Sequence, residues 1–251
     1  MISRFTHIVL LAALALLPAA QASAGVILIT QAKAVQGGVT PGDTAGFPVT
    51  LSRPGAYRFD TNLTVPAGKS GIAVGAHYVS IDMAGFVLSG FSGTQRVGLN
   101  GVYSAFGISS IRNGIITGFA SNGIILNGNS NSWVVENMQI LSNGGAGIDA
   151  YASAYSRFIN NTVLTNGKDG IQCGSYCHVY GSNISDNAEV GVYIKSGTVL
   201  GNTIFSNGDI GIFDSEGLAD TGFGNNTLIG NAGYSAVYVL PLHPNVCQPA
   251  C

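Results

Sequence analysis

Charge is scarce in this chain. Lys, Arg, Asp and Glu together make up 9% of its 251 residues, where an average soluble domain carries roughly a quarter. Ten basic residues stand against twelve acidic ones, a formal net charge of -2. That balance gives no electrostatic footprint for nucleic acid. Proline is sparse at 8, and there is one tryptophan. Glu, Lys and Leu are too few for a coiled coil. Glycine follows no strict triplet period, which excludes collagen. No Gly-x-Ser-x-Gly elbow and no Walker phosphate loop occurs. Beyond residue 24 no apolar stretch is long enough to span a bilayer, which needs roughly 20 residues.

What is present is glycine, 36 residues of it, and a 46% hydrophobic fraction. A core of real size can be buried. The surface must then be built from Gly, Asn, Ser and Thr rather than from charge.

The first segment reads as an address. Arg4 supplies a basic start, Ile8 to Leu17 is unbroken apolar sequence ended by Pro18, and Ala22-Ser23-Ala24 fits a small-x-small cleavage site. These are the parts of a secretory signal peptide over residues 1–24. They predict export to the periplasm or the exterior and a mature chain of 25–251. An oxidising compartment lets cysteines pair. Cys173, Cys177, Cys247 and Cys251 form two Cys-x-x-x-Cys pairs. Four cysteines allow three connectivities. The expectation is local pairing, Cys173–Cys177 and Cys247–Cys251, with a metal site as the weaker alternative because no histidine pattern accompanies them.

The chain then repeats. Asn143-Gly-Gly-Ala-Gly147-Ile148 returns as Asn166-Gly-Lys-Asp-Gly170-Ile171, Asn187-Ala-Glu-Val-Gly191-Val192 and Asn207-Gly-Asp-Ile-Gly211-Ile212. Asn231-Ala-Gly-Tyr-Ser235-Ala236-Val237 closes the series, with serine for glycine and one residue inserted. The leading asparagines are spaced by 23, 21, 20 and 24 residues. A second asparagine block precedes each unit, at Asn137, Asn161, Asn183, Asn202 and Asn226. Short Ile- and Val-rich runs bounded by Asn and Gly are strand signals with turn punctuation. A unit of this length suits one coil of a parallel β-solenoid with about three short strands. Stacked coils lie about 4.8 Å apart, so each repeat position becomes a column along the axis.

The columns explain the residue choices. Ile148, Ile171, Val192, Ile212 and Val237 make one inward stack, and Ile140, Val163, Ile184, Ile204 and Leu228 another. Asn143, Asn166, Asn187, Asn207 and Asn231 make a polar ladder, since an amide both donates and accepts and asparagine tolerates a left-handed corner.

These repeats resemble the right-handed parallel β-helix repeat of pectate-lyase-like proteins, of the bacterial secreted type. Gly38-Val-Thr-Pro-Gly-Asp43 and Gly46-Phe-Pro-Val-Thr-Leu-Ser-Arg-Pro-Gly-Ala-Tyr57 look like the opening module of such proteins. Val79-Ser-Ile-Asp82 and Ile111-Arg-Asn-Gly114 look like its first coils. The resemblance implies an all-β, single-stranded right-handed parallel β-helix. Residues 25–65 would be an N-terminal cap with the first strands, 66–237 the helix, and 238–251 a C-terminal cap or tail. It also implies a polysaccharide partner, of the uronate type. A non-catalytic structural or adhesive module is the alternative, because the fold alone does not fix an activity.

Counting outward from the Gly-Ile landmark gives a candidate binding face. One column reads Ile125, Asp149, Gln172, Tyr193, Phe213 and Tyr238; the next reads Asn127, Tyr151, Gly174, Lys195 and Ser215. Asp149, Tyr151, Gln172, Tyr193, Lys195 and Phe213 thus fall together as candidate substrate contacts. Tyr193 and Lys195 are the weak candidates for proton handling, of lyase or C5-epimerase type. Trp133, Arg157 and His178, counted back from the second asparagine block, form a second and weaker face. Asp209, Asp214, Glu216 and Asp220 form an acidic cluster; calcium is the ion such a cluster could take, but the spacing matches no calcium loop, so no cofactor is implied. The catalytic motifs of the resembled families are missing: Asp-Pro-His of alginate epimerases, Asn-Thr-Asp, Asp-Asp and Gly-His-Gly of polygalacturonases, and Trp-Ile-Asp-His of pectate lyases. None of their catalytic residues can be carried over.

Overall fold

The computed structural model describes residues 25–128, 130–248 and 251; the signal-peptide reading falls on residues 1–24 and lies outside them. The chain winds as a right-handed parallel β-helix whose coils each give one strand to three faces. Face A is a stack of nine strands, represented by Ile148–Ala150, Ile171–Cys173, Val192–Ile194 and Ile212–Asp214. Face B follows in each coil, as in Arg157–Ile159, Cys177–Tyr180 and Gly197–Leu200. Face C comes next, as in Thr162–Leu164, Asn183–Ser185 and Thr203–Phe205. In two coils faces B and C run together as single long strands, Ser110–Thr117 and Val134–Leu141.

Burial follows the strand period of two. On face A the outer two residues of each three-residue strand point inward and the middle one outward; face C does the reverse. Ile148, Ile171, Val192 and Ile212 stack on face A, and Ile140, Val163, Ile184, Ile204 and Leu228 on face C, all buried. Ile81, Ile111, Val135, Phe158, Val179 and Val199 complete the core from face B. Where a glycine precedes a face A strand, close approach fixes it. A Cβ on Gly170 would lie 2.5 Å from the Ile184 Cγ2 and 2.6 Å from the Gly191 carbonyl oxygen.

The asparagine ladder is continuous. Each amide oxygen accepts from the backbone N–H and side-chain amide of the asparagine one coil earlier, at 2.9–3.2 Å from Asn143 through Asn231. Each side-chain amide of the later members also donates to a face C carbonyl, as Asn187 does to Val163 at 3.1 Å. The left-handed residue at this corner is not the asparagine but the one before it: Ser142, Thr165, Asp186 and Ser206 have φ near +54°.

Three sequence readings shift by one residue. The inserted residue in the last unit puts Ala236, not Val237, below Ile212, and Val237 faces outward beside Phe213. The second ladder runs Asn161, Ser182, Asn202, Asn226 and Asn245, so Asn137 and Asn183 stand one place off it. Trp133 is likewise one place off Arg157, whose partner is Val134. Residues at the two ends also join the solenoid. Ile27–Ile29 pairs with Gly55–Phe59, and the helix Gln31–Gln36 stands before the first face A strand, Val49–Leu51, with Ala34 buried. At the other end Val239–Pro241 and Val246–Gln248 add strands to faces B and C, so the helix extends beyond residue 237. Both cysteine pairs are closed locally, Cys173–Cys177 and Cys247–Cys251, with Cα atoms 6.2 and 5.4 Å apart. No helix among the described residues is long and apolar enough to cross a membrane.

Candidate functional site

Face A presents its middle residues to solvent. Asp149, Gln172, Tyr193 and Phe213 are register partners on four successive coils. Tyr151 and Lys195 lie just beyond the ends of their strands, two coils apart. Gly174 occupies the coil between, where a Cβ would collide with the Ser153 carbonyl oxygen. The Lys195 ammonium sits 4.2 Å from the centre of the Tyr151 ring, a cation–π contact. The Tyr151 ring is 5.7 Å from Tyr193, Tyr193 is 5.3 Å from Phe213, and Phe213 is 6.0 Å from Tyr238. These separations suit edge-on and tilted aromatic pairs. A connected run of rings therefore follows the axis, although Tyr238 joins from the corner and not from the strand register.

At one end of the run lies a polar cavity of about 280 Å³, bordered by Asn122, Gly145, Asp149, Lys168 and Gln172. Asp149 accepts from the Asn122 amide at 3.3 Å and from the Tyr151 N–H at 3.4 Å. Burial holds its carboxyl above the usual range, and the charge of nearby Asp169 adds to the rise. Asp169 is itself buried; it accepts from the Gln172 amide at 2.6 Å and from the Val190 N–H at 2.8 Å. The phenol of Tyr193 is also pushed up, by burial first and then by Tyr151 and Asp169. It is therefore a neutral donor whose phenolate is less populated than that of a free tyrosine.

The second face changes membership. Trp133 is fully buried, and its indole N–H donates to the Phe106 carbonyl at 2.7 Å. It belongs to the core column of Ser156 and Cys177, because the strand period turns every second residue inward. Arg157 and His178 remain as exposed register partners on face B. Sequence reasoning missed their neighbours Tyr155, Tyr176 and Tyr180. The signal was available: Tyr155-x-Arg157 returns as Tyr176-x-His178 after 21 residues, one coil length.

The acidic cluster does not assemble as a cation site. Asp214 is buried in the core column of Ala150, Cys173 and Ile194. Its oxygens accept from the backbone N–H groups of Glu216, Gly217 and Thr221 at 3.1–3.3 Å. Burial and the adjoining Asp214 carboxylate raise the Asp220 carboxyl. Among the described residues no three His, Cys, Asp or Glu side chains gather as a metal site. Lys168, Glu189 and Asp209 occupy one corner column, tied through their backbones. Among the described residues the ion pairs are Arg112–Asp82 at 3.6 Å and Arg112–Glu136 at 4.0 Å, on face B.

A parallel β-solenoid is the class of structure defined here, and the comparisons agree. Residues 97–240 match the family described as "Right handed beta helix region", and the chain belongs to that family. No curated protein matches it. The pectate lyase Pel9A structure superposes with a TM-score of 0.55 at 14% identity, over 75% of this chain and 56% of that one. The A-module of the Azotobacter vinelandii mannuronan C-5 epimerase AlgE4 gives 0.55 at 16% identity, over 73% and 65%. The periplasmic alginate epimerase AlgG gives 0.55 at 13% identity, over 76% and 59%. At these identities the likeness is one of fold. The chain spans 56–65% of the length of these structures.

Proposed function

We propose that this protein is exported and binds an acidic, uronate-type polysaccharide along face A. The observation that carries the reading is the ring run Tyr151, Tyr193, Phe213 and Tyr238 with the Lys195 ammonium held over its first member. Rings in a row offer apolar platforms to the C–H faces of successive sugars. A fixed ammonium beside them offers a charge partner to a carboxylate. The similar folds named for pectate, mannuronan and alginate support the ligand class. Export is supported by the signal-peptide pattern of residues 1–24 and by the two closed cysteine pairs, which suit a periplasmic or secreted chain.

One observation favours a second activity on the same face. The raised Asp149 carboxyl stands at a polar cavity beside Lys168, and a carboxylate of raised pKa is a better base than an ordinary one. Asp149 would then take the proton at the uronate C5, with a cationic group nearby to balance the sugar carboxylate.

Retention on immobilised polygalacturonate and alginate tests the binding. Tyr193→Ala and Lys195→Ala are each expected to weaken it roughly tenfold. A wild-type chain that is not retained would overturn the reading and leave a structural or adhesive module. The second activity is read as ultraviolet absorbance of unsaturated ends or deuterium uptake at C5. Turnover lost in Asp149→Asn, with retention intact, is the expected result; turnover unchanged in that variant would remove Asp149 from the chemistry.

A further inference from the structure

The corner between faces A and B carries bulky residues where backbone geometry disfavours them. Tyr78, Ile108, Ser132, Tyr155 and Tyr176 occupy one column there with φ of +60°, +54°, +60°, +58° and +56°, and all but Ser132 are bulky. This left-handed region suits glycine and asparagine and is the least favourable one for large side chains. The corner between faces B and C shows the cheaper solution at the same conformation, with Asn137, Asn160, Gly181 and Gly201. The tyrosines are not there to be buried: Tyr155 is 59% exposed and Tyr176 58%. Their rings stack face to face, with centres 5.0 Å apart and planes 11° from parallel. Strained positions kept for exposed side chains point to a contact outside the fold.

The neighbouring columns supply the rest of a platform. Arg157 and His178 are register partners two residues along, and Ile159 and Tyr180 two further. All of these point outward on the strand period, and Tyr180 is 55% exposed. Two coils therefore present a stacked tyrosine pair, a basic pair and a third tyrosine side by side. Among the described residues no carboxylate pairs with Arg157; the nearby Glu136 is engaged by Arg112. His178 Nδ1 is 2.6 Å from Thr198 Oγ1, which fixes its ring on the same surface. A groove of about 510 Å³ leads from Tyr78 and Ile108 past Ser110 and Val134 to Arg157.

We propose that the Tyr155–Tyr176 corner, with Arg157, His178 and Tyr180, is a second saccharide site, selective for a carboxylated sugar. The tyrosine rings take the sugar faces and Arg157 takes the carboxylate as a forked hydrogen-bond pair. The site shares a ligand class with the face A reading and none of its residues.

Calorimetric titration with oligogalacturonate, and with a neutral β-1,4-glucose oligomer as control, tests this on the full chain. Tyr155→Gly/Tyr176→Gly is the diagnostic variant, because glycine relieves the left-handed strain. Its thermal midpoint is expected to hold or rise while uronate binding at this site falls roughly tenfold or more. Arg157→Gln is expected to abolish the preference for the uronate over the neutral oligomer. Tyr193→Ala/Lys195→Ala isolates the platform: binding that persists there and vanishes on adding Tyr155→Gly/Tyr176→Gly is the expected result. A marked fall in the midpoint of the glycine variant would show that the stack serves stability and overturn the proposal. So would uronate binding that Tyr155→Gly/Tyr176→Gly leaves unchanged, or that Tyr193→Ala/Lys195→Ala alone eliminates. If Tyr193→Ala/Lys195→Ala binds as the wild type does and Tyr155→Gly/Tyr176→Gly does not, face A fails and the platform stands.

Discussion

A ladder asparagine holds three coils together. Asn187 accepts from the backbone N–H and the side chain of Asn166, and donates to Val163 and Asn207. It is buried, as are its partners. Asn187→Ala would strand several buried polar groups at once. Each unsatisfied group costs about 1–3 kcal/mol, so the variant is expected to lose about 3 kcal/mol or more. Denaturant unfolding measures this, and a loss below about 1 kcal/mol would mean that backbone pairing alone carries the coils. The same scale shows two carboxylates under opposite influence. Burial raises Asp149. Burial acts likewise on Asp82, but the Ala84 N–H, the Asn113 amide, Arg112 and Arg58 outweigh it and lower the carboxyl. Asp149 therefore costs stability as pH rises through its folded pKa, while Asp82 contributes stability that is lost as pH falls through its own.

The corner between faces A and B is an element solved differently in each coil. Two columns flank the corner: Ala150, Cys173, Ile194 and Asp214 end face A, and Ser156, Cys177, Gly197 and Thr221 stand at the start of face B. One coil closes the corner with a disulfide, another with a buried carboxylate that accepts three backbone N–H groups. Cys173→Ala/Cys177→Ser places here the residues that the two columns carry one coil earlier. The expected loss is the loop-closure contribution of a short bridge, about 2 kcal/mol. It is measured as the shift in unfolding midpoint against the wild type under oxidising conditions. No shift would show that neighbouring coils already hold the corner.

At the scale of the whole molecule the exposed ends are the weak points. An unpaired coil offers free N–H and C=O groups to any other chain. Residues 238–251 include Val239–Pro241 and Val246–Gln248, which cover the edges of Thr221–Gly224 and Thr227–Ile229, and Asn245, which continues the second ladder. Deleting them removes Cys247 and Cys251 together and leaves no stray thiol. The shortened chain is expected to unfold at lower temperature and to associate as its concentration rises, as light scattering would report. A monomer with an unchanged midpoint would show that the last coil is not a cap.

The recurring Asn and Gly-Ile signature determined the coil, its length and the buried ladder, because those positions obey a backbone constraint that repeats every turn. The asparagines at 143, 166, 187, 207 and 231 could be aligned from spacing alone. So could the outward set Asp149, Gln172, Tyr193 and Phe213, since strand alternation carries over from the landmark. Where the spacing changed, at the insertion before Ala236 and at the corner before Arg157, only the folded chain decided the register. There a slip of one residue sends Trp133 inward and Val237 outward. Nor can a linear pattern show that Lys195 reaches the Tyr151 ring two coils away, or that two corner tyrosines meet face to face. Those contacts depend on how side chains lean between coils about 4.8 Å apart, and that is set by packing around each coil rather than by the repeat itself.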